Sequence, residues 1–224
     1  MGDDFDPTTV PIRPAATVMT VRDGDGGLEV FILERTAAAA FAGGMYVYPG
    51  GKVDDADGAA AIEPFCDGLT DAEASARLGI DRGGLSYWVA AVRECFEESG
   101  ILLARTATGG KPDVSAEERH AVHDGELSMV DLCRRHDLVL DLSTTEYAAH
   151  WITPIGERRR FDTRFFVTEV PADQAGSHDD KETTHSLWVR PSDALAMAEA
   201  GTLMMLPPTI ATMRFLADHP TADD

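Results

Sequence analysis

Three glutamates stand close together in one short stretch of the chain. Residues 86–100 read SYWVAAVRECFEESG and have the apolar spacing of an amphipathic helix. At about 100° per residue, Glu94, Glu97 and Glu98 fall on one narrow face of that helix. Apolar residues occupy the opposite face, namely Trp88, Val89, Val92, Cys95 and Phe96. Because Mg²⁺ and Mn²⁺ prefer carboxylate oxygens, the acidic face predicts a divalent metal site beside substrate phosphates.

The helix alone leaves two interpretations of this acidic face open. Like charges three and four residues apart destabilise a helix, and no Lys follows four residues on to offset them. A bound cation would supply the missing positive charge. The alternative is a solvated surface helix, which is the common fate of a charge cluster.

Hydrophobic periodicity and turn residues predict the elements that must position this helix. The first two strands are expected to form a hairpin across the turn at 23–27, and Pro49-Gly50-Gly51 is expected to turn the chain. Gly100 stands where a left-handed C-terminal cap is predicted. Strands are predicted at 15–22, 28–34, 146–152, 161–170 and 186–189, and helices at 70–78, 86–99, 115–123, 127–136 and after the prolines at 191 and 207–208.

Composition limits the class of protein. The chain has 224 residues, 44% hydrophobic and 26% charged, which favours one globular α/β domain over residues 14–218, with a mobile arm at 1–13 and a tail at 219–224. A formal charge of -20 argues against general nucleic-acid binding. Three cysteines without CxxC spacing indicate neither a disulfide framework nor a zinc finger. With no long apolar run or leader pattern, we expect no membrane insertion and a cytoplasmic protein.

The acidic helix also carries a motif. Residues 93–101 read RECFEESGI and match REUXEEXGU without a gap, and Gly50-Gly51-Lys52 lies upstream. This resembles the Nudix box, GX5EX7REUXEEXGU. The resemblance implies the α/β/α Nudix sandwich with a mixed central sheet. It also implies Mg²⁺- or Mn²⁺-dependent hydrolysis of a nucleoside diphosphate linked to another moiety.

The upstream half of the motif departs from the family pattern. After five residues that follow Gly51 the chain has Asp57 where the family has Glu, and 35 residues then separate Asp57 from Arg93 where the family has seven. An insertion at about 58–84 is therefore predicted inside the box. The residue that takes the place of the family's upstream glutamate could be Asp57, Asp54 or Asp55, or the chain has no equivalent of it.

The insertion inside the box is a further resemblance, because the coenzyme A diphosphatase branch of the family also has a long insertion at this point. The likeness extends to residues 41–51, to Arg160 with the strand that follows it, and to Trp188 and Pro191. It implies coenzyme A or acyl-CoA as the leading substrate, with NADH, ADP-ribose and dinucleoside polyphosphates as alternatives. A homodimer is a further expectation from the family. The rival hypothesis is a Nudix-fold module that binds or senses a nucleotide without turnover.

The resemblance assigns roles to individual residues. Glu94, Glu97 and Glu98 become metal-site residues, Arg93 orients a glutamate through a bidentate ion pair, and a carbonyl at Gly50 or Gly51 completes the metal shell. Glu182 is the candidate for one further metal ligand, with Asp179 and Asp180 behind it. Substrate contacts are predicted at Arg35, Arg160, Arg164 and Asp57, and the run Arg158-Arg159-Arg160 either neutralises a phosphate or forms a solvated turn.

The histidines do not have the spacing of metal ligands. His120 and His123 lie three residues apart on a predicted helix with no third partner in view, so neutral surface or core positions are predicted for them.

Overall fold

A hairpin near the start of the chain lies at the centre of the main β-sheet. The computed structural model describes residues 6–39, 42–170, 174–179 and 181–222. Within it the first two strands run antiparallel, and Gly24 faces Gly27 at the turn, so the predicted hairpin is confirmed. Phe41 and Asp180, two residues named from the sequence, lie outside the described residues.

Ten strands occur in the described part of the chain. In chain order they are β1 (Ile12–Gly24), β2 (Gly27–Arg35), β3 (Tyr46–Val47), β4 (Gly50–Lys52), β5 (Cys66–Asp67), β6 (Ala104–Thr106), β7 (Leu138–Asp141), β8 (Glu146–Ile152), β9 (Arg160–Glu169) and β10 (Thr183–Val189). Seven of them form the main sheet in the order β10-β2-β1-β9-β8, with β3 beside β2 and β4 beside β1. β1 and β9 are parallel and the other pairs are antiparallel, so the sheet is mixed as the resemblance implies.

Several helices begin or end at residues that the sequence marks as caps, whereas the helix predicted at 127–136 begins two residues later. Over the described residues they are α1 (Asp71–Leu78), α2 (Leu85–Ser99), α3 (Ala116–His123), α4 (Met129–His136), α5 (Pro191–Glu199) and α6 (Pro207–Ala217). Thr70 and Ser115 accept hydrogen bonds from the third residue of α1 and α3. Gly100 ends α2 with φ of 71°, in the left-handed region that the capping pattern predicts.

The two faces of the main sheet carry different helices. On one face α2 packs against β1 and β9, where the Trp88 ring lies 4.6 Å from the Phe166 ring and its Nε1 donates to the Thr145 carbonyl at 2.9 Å. On the other face α5 and α6 bury Ala194 and Met213 against the sheet. The arrangement is the α/β/α sandwich expected from the sequence.

Residues 58–84 pack against the start of α2. The Asp71 carboxylate accepts hydrogen bonds from the N–H groups of Gly83 and Leu85, at 3.1 and 3.0 Å. The Ser75 hydroxyl accepts from Gly84 N–H at 2.9 Å. β5, from the same segment, joins β7 and β6 in a small second sheet that the sequence patterns do not predict. The segment therefore anchors the amino end of the acidic helix.

Candidate active site

The three glutamates of α2 are buried. The residues Glu94, Glu97 and Glu98 expose only 9%, 8% and 3% of their surface. This excludes the interpretation of a solvated surface helix. Carboxylates are seldom buried without a compensating charge, so the site needs cations of its own or from a ligand.

Strand β4 holds the acidic face from one side. Gly50 N–H donates to Glu98 Oε2 at 3.0 Å. At Gly51 an added Cβ would lie 2.5 Å from Glu94 Oε1, so a side chain there would displace the glutamate. The structure thus brings both glycines of the motif against the glutamates, because β4 pairs with β1 rather than only turning the chain.

Arg93 is the main cation of the site. Its Nη1 donates to Glu94 Oε1 at 2.9 Å and to Glu97 Oε1 at 3.2 Å, while its Nη2 donates to the Lys52 carbonyl at 2.8 Å. Its two-point ion pair is with Asp57, with Nε to Oδ1 and Nη2 to Oδ2 both at 2.9 Å. The predicted bidentate partner was a glutamate, and the structure puts an aspartate in that position.

Asp57 lies in the cleft wall but is 2% exposed. Its second oxygen also accepts from Asp54 N–H at 2.8 Å. Both oxygens are therefore used within the protein, which positions Arg93 and leaves little capacity for the predicted contact with substrate.

Arg35 links Glu98 to Glu182. Its Nη1 lies 3.9 Å from Glu98 Oε1 and its Nη2 lies 3.1 Å from Glu182 Oε2. The Glu182 side chain is 48% exposed and faces the same cleft, next to Glu98. Asp179 instead accepts from the N–H groups of Lys181, Glu182 and Thr183, so it shapes the loop that carries Glu182.

Burial dominates the electrostatics of the acidic face. It raises the pKa of Glu94 to about 8, although Arg93 opposes the shift. Burial also raises the pKa of Glu97, and burial together with the nearby Glu94 raises the pKa of Glu98 well above its ordinary value. The two guanidinium groups do not fully compensate these acids, so hard oxygen donors and a shortage of positive charge both fit a divalent cation.

The glutamate carboxylates already accept hydrogen bonds from protein donors. Arg93 and the Gly50 N–H occupy some of their oxygens, and among the described residues no three His, Cys, Asp or Glu side chains converge as a ready-made metal shell. The residues that could hold an ion are Glu94 and Glu98, with the backbone of β4 beside them.

A cleft of about 1120 Å³ opens over the acidic face. Its floor is one face of the main sheet, where Lys52, Ala15, Thr163 and Trp151 stand in one row across β4, β1, β9 and β8. The next row outward pairs Arg13 with Phe161. We call these two rows, with Thr17 and Phe165 beneath them, the cleft floor.

Two predicted substrate contacts lie away from the cleft. Arg164 is 7% exposed and donates to the Leu78 carbonyl on the other face of the sheet, and Arg160 donates to the Thr153 carbonyl. Because side chains alternate along β9, these arginines point opposite to Phe161 and Phe165. Near the start of β9, the arginines that line the cleft are Arg13 and Arg159.

His123 is a cleft residue that spacing arguments missed. It lies at the end of α3 in the wall formed by α3 and α4, close enough to Glu97 to influence its pKa. Its Nδ1 is buried without a hydrogen-bond partner among the described residues. No sequence signal identifies it, because only the folding of α3 over α2 brings it to the site.

No helix in the described part of the chain combines the length and the apolar character that crossing a membrane requires.

The family model that matches this chain and two of its curated relatives bear the same name. The family model described as the NUDT19 Nudix domain matches residues 75–216. Acyl-coenzyme A diphosphatase NUDT19 of Gallus gallus is 27% identical over 240 residues, which cover 88% of this chain and 63% of the relative. The Homo sapiens protein of the same name is 26% identical, with the same coverage. The chain thus spans a little under two thirds of the length of these curated relatives.

A solved structure is also similar. A NUDIX hydrolase from Alicyclobacillus acidocaldarius superimposes with a TM-score of 0.81 at 27% identity, covering 96% of this chain and 95% of that one. The likeness extends over nearly the whole of both chains.

Proposed function

The chain belongs to the Nudix hydrolase family, in the group defined by the NUDT19 Nudix domain, and on that premise we propose that it hydrolyses the diphosphate bond of a nucleoside diphosphate-X compound with Mg²⁺ or Mn²⁺. One observation carries the proposal. Three glutamates of α2 are buried and line a large cleft, in contact with β4 and with the guanidinium groups of Arg93 and Arg35.

Each residue of the site has its own role in this reaction. Glu94 and Glu98 would hold the divalent ions, with the carbonyl of Gly50 or Gly51 as a further donor and Glu182 as an outer ligand. Such ions, when bound, offset charge on the phosphate oxygens and favour ionisation of water. A site carboxylate takes the proton of the attacking water, whose oxygen bonds to phosphorus as the bridging P–O bond breaks. Arg93 and Asp57 hold the glutamates in place.

Coenzyme A or an acyl-CoA is the leading substrate in this proposal. Two relatives that are similar over 88% of the chain bear the name acyl-coenzyme A diphosphatase. The volume of the cleft, about 1120 Å³, suits a ligand of that size. NADH, ADP-ribose and dinucleoside polyphosphates are the competing substrates.

The test is a product screen over these compounds with Mg²⁺ and with Mn²⁺. We expect metal-dependent cleavage, fastest for coenzyme A or an acyl-CoA, and a loss of roughly 10²–10⁴-fold in kcat for Glu94→Gln and Glu98→Gln. Equal turnover by the parent and by the double variant would refute the proposal. Tight nucleotide binding without metal and without product would favour the binding-module hypothesis, which no contact among the described residues specifically supports. Cytoplasmic location and a homodimer stay predictions from the sequence.

A further inference from the structure

The cleft floor carries an aromatic surface at its outer edge. Trp151 lies on the edge strand β8, opposite Thr163, and Phe161 lies two residues earlier on β9. Such diagonal neighbours have Cβ atoms roughly 7–8 Å apart, within reach of aromatic side chains. Both residues line the cleft. Both are aromatic residues against which a planar ring can stack.

Trp151 differs from the other two tryptophans. It is 36% exposed, and its indole N–H has no hydrogen-bond partner among the described residues. Trp88 is fully buried and donates to Thr145, and Trp188 donates to the Ala175 carbonyl at 2.7 Å outside the cleft. An exposed indole at the mouth of a cleft is therefore the part of this aromatic surface that a ligand can cover.

Two arginines flank the aromatic surface. Arg13 stands beside Phe161 in the register of β1 and β9, and Arg159 precedes β9. Neither forms an ion pair with any residue in the described ranges, although the chain has 39 acidic and 19 basic residues. Unpaired guanidinium groups in so acidic a chain indicate an external anion, and their planar fork suits a phosphate.

The spacing along β1 relates these arginines to the acidic face. Thr17 pairs with Gly50, which donates to Glu98, and Arg13 is four residues further out. At about 3.3 Å per residue this separation is roughly 13 Å. A nucleoside fits between the glutamates and the two arginines.

The opposite wall has a different chemistry. The helical hairpin of α3 and α4 contributes the aliphatic side chains Val122, Leu127, Met129 and Val130. These suit a flexible, weakly polar chain and offer no stacking surface.

We propose that the nucleotide half of the substrate binds on the cleft floor, with its base stacked on Trp151 and Phe161 and a ribose phosphate held by Arg13 and Arg159, while the other half lies against the α3–α4 wall. This rests on the proposed function, since it takes a diphosphate-linked nucleoside as the ligand. Because coenzyme A, the leading substrate, carries a phosphate on the 3′ oxygen of its ribose, the proposal predicts that the protein distinguishes nucleotides by a phosphate at that position.

Binding of adenosine 3′,5′-bisphosphate tests the stacking directly. This ligand has no diphosphate bond, so tryptophan fluorescence and calorimetry can follow it without metal and without turnover. We expect quenching in the parent and in Trp188→Phe but not in Trp151→Phe, which still binds by calorimetry. Trp151→Ala should bind about 10-fold more weakly. Unchanged affinity in Trp151→Ala, or quenching that persists in Trp151→Phe and disappears in Trp188→Phe, would overturn the stacking.

A comparison with adenosine 5′-monophosphate tests the arginines. The double variant Arg13→Ala/Arg159→Ala should weaken the bisphosphate about 10-fold and leave the monophosphate nearly unchanged. Arg134→Ala, on the exposed surface of α4, is the matched control and should leave both affinities unchanged. Equal weakening of both ligands, or of neither, would refute the 3′-phosphate site. The proposed function fails separately, if the parent releases no product from any diphosphate substrate.

Discussion

Arg93 and Asp57, 36 residues apart in the chain, form a two-point ion pair with both contacts at 2.9 Å. The Arg93 side chain is 11% exposed and that of Asp57 is 2% exposed. The pair connects the segment after β4 to the acidic helix. The position of this pair lets Arg93 contact Glu94 and Glu97 at the same time, so the geometry of these buried acids depends on an aspartate outside the helix.

The first prediction concerns this ion pair. Asp57→Asn should lower the free energy of unfolding by about 3 kcal/mol, because it leaves a buried guanidinium without its main counter-charge. Turnover should fall as well, since Glu94 and Glu97 lose the support of Arg93. Urea unfolding and steady-state kinetics measure the two effects. Asp55→Asn, at an exposed neighbour, should change stability by less than about 0.5 kcal/mol. Full stability with lost activity in Asp57→Asn would mean that Asp57 acts on the ligand instead.

The second prediction concerns the close approach of β4 to the helix. Gly51→Ala puts a methyl group 2.5 Å from Glu94 Oε1, so kcat should fall about 10²-fold as the glutamate is displaced. Gly58→Ala is the matched control, because its Cβ meets Ser86 Cβ at an ordinary 3.4 Å. That variant should retain parent kinetics. Parent-like kcat in Gly51→Ala would show that Glu94 has no fixed position in the reaction.

The third prediction concerns pH. Glu94 has a pKa of about 8 in the folded protein against 4.5 ordinarily, so the folded state binds this proton more tightly. The resulting stability is complete below about pH 4.5 and is lost as the pH rises to about 8. Metal-free unfolding midpoints should therefore fall between about pH 5 and about pH 9. Magnesium requires ionised carboxylates, so its stabilising effect and the catalytic rate should rise over the same range.

Glu94→Gln provides the control for this pH dependence. The neutral amide cannot lose a proton, so the metal-free decline should become shallower and the midpoint at alkaline pH should equal or exceed that of the parent. A decline of the same size in this variant would assign the pH dependence to other groups.

The fourth prediction concerns Glu182. Its side chain is 48% exposed and contacts Arg35 at 3.1 Å, so Glu182→Gln should change stability by less than about 0.5 kcal/mol. As an outer metal ligand it should nevertheless raise the half-saturating Mg²⁺ concentration about 10-fold. Glu126→Gln, an exposed acid outside the cleft, should leave the metal requirement unchanged. An unchanged requirement in Glu182→Gln would remove this residue from the metal site.

Local sequence patterns predicted the helix and its ends well. Residues 86–99 and the Gly100 cap depend on periodicity and on one backbone conformation, and both are confirmed to within one residue. The resemblance to the Nudix box also predicted the sandwich. These features are encoded within a short stretch or in a motif, so no knowledge of distant contacts is needed.

Features that depend on pairing between distant segments could not be predicted in the same way. Gly50–Lys52 reads as a turn, and it becomes β4 because β1 pairs with it. Arg160 and Arg164 share one face of β9 by alternation, but the sequence does not say which face carries the cleft. His123 and the burial of Glu98 likewise depend on how α3 and β4 pack around α2.

The most direct test of the central claim is a titration with Mn²⁺, followed by electron paramagnetic resonance of the free ion. The parent should bind Mn²⁺ more tightly as the pH rises, and Glu94→Gln/Glu98→Gln should lose that binding while remaining folded. Equal Mn²⁺ affinity in the parent and the double variant would contradict the account, because the buried glutamates of α2 would then not be the residues that hold the metal.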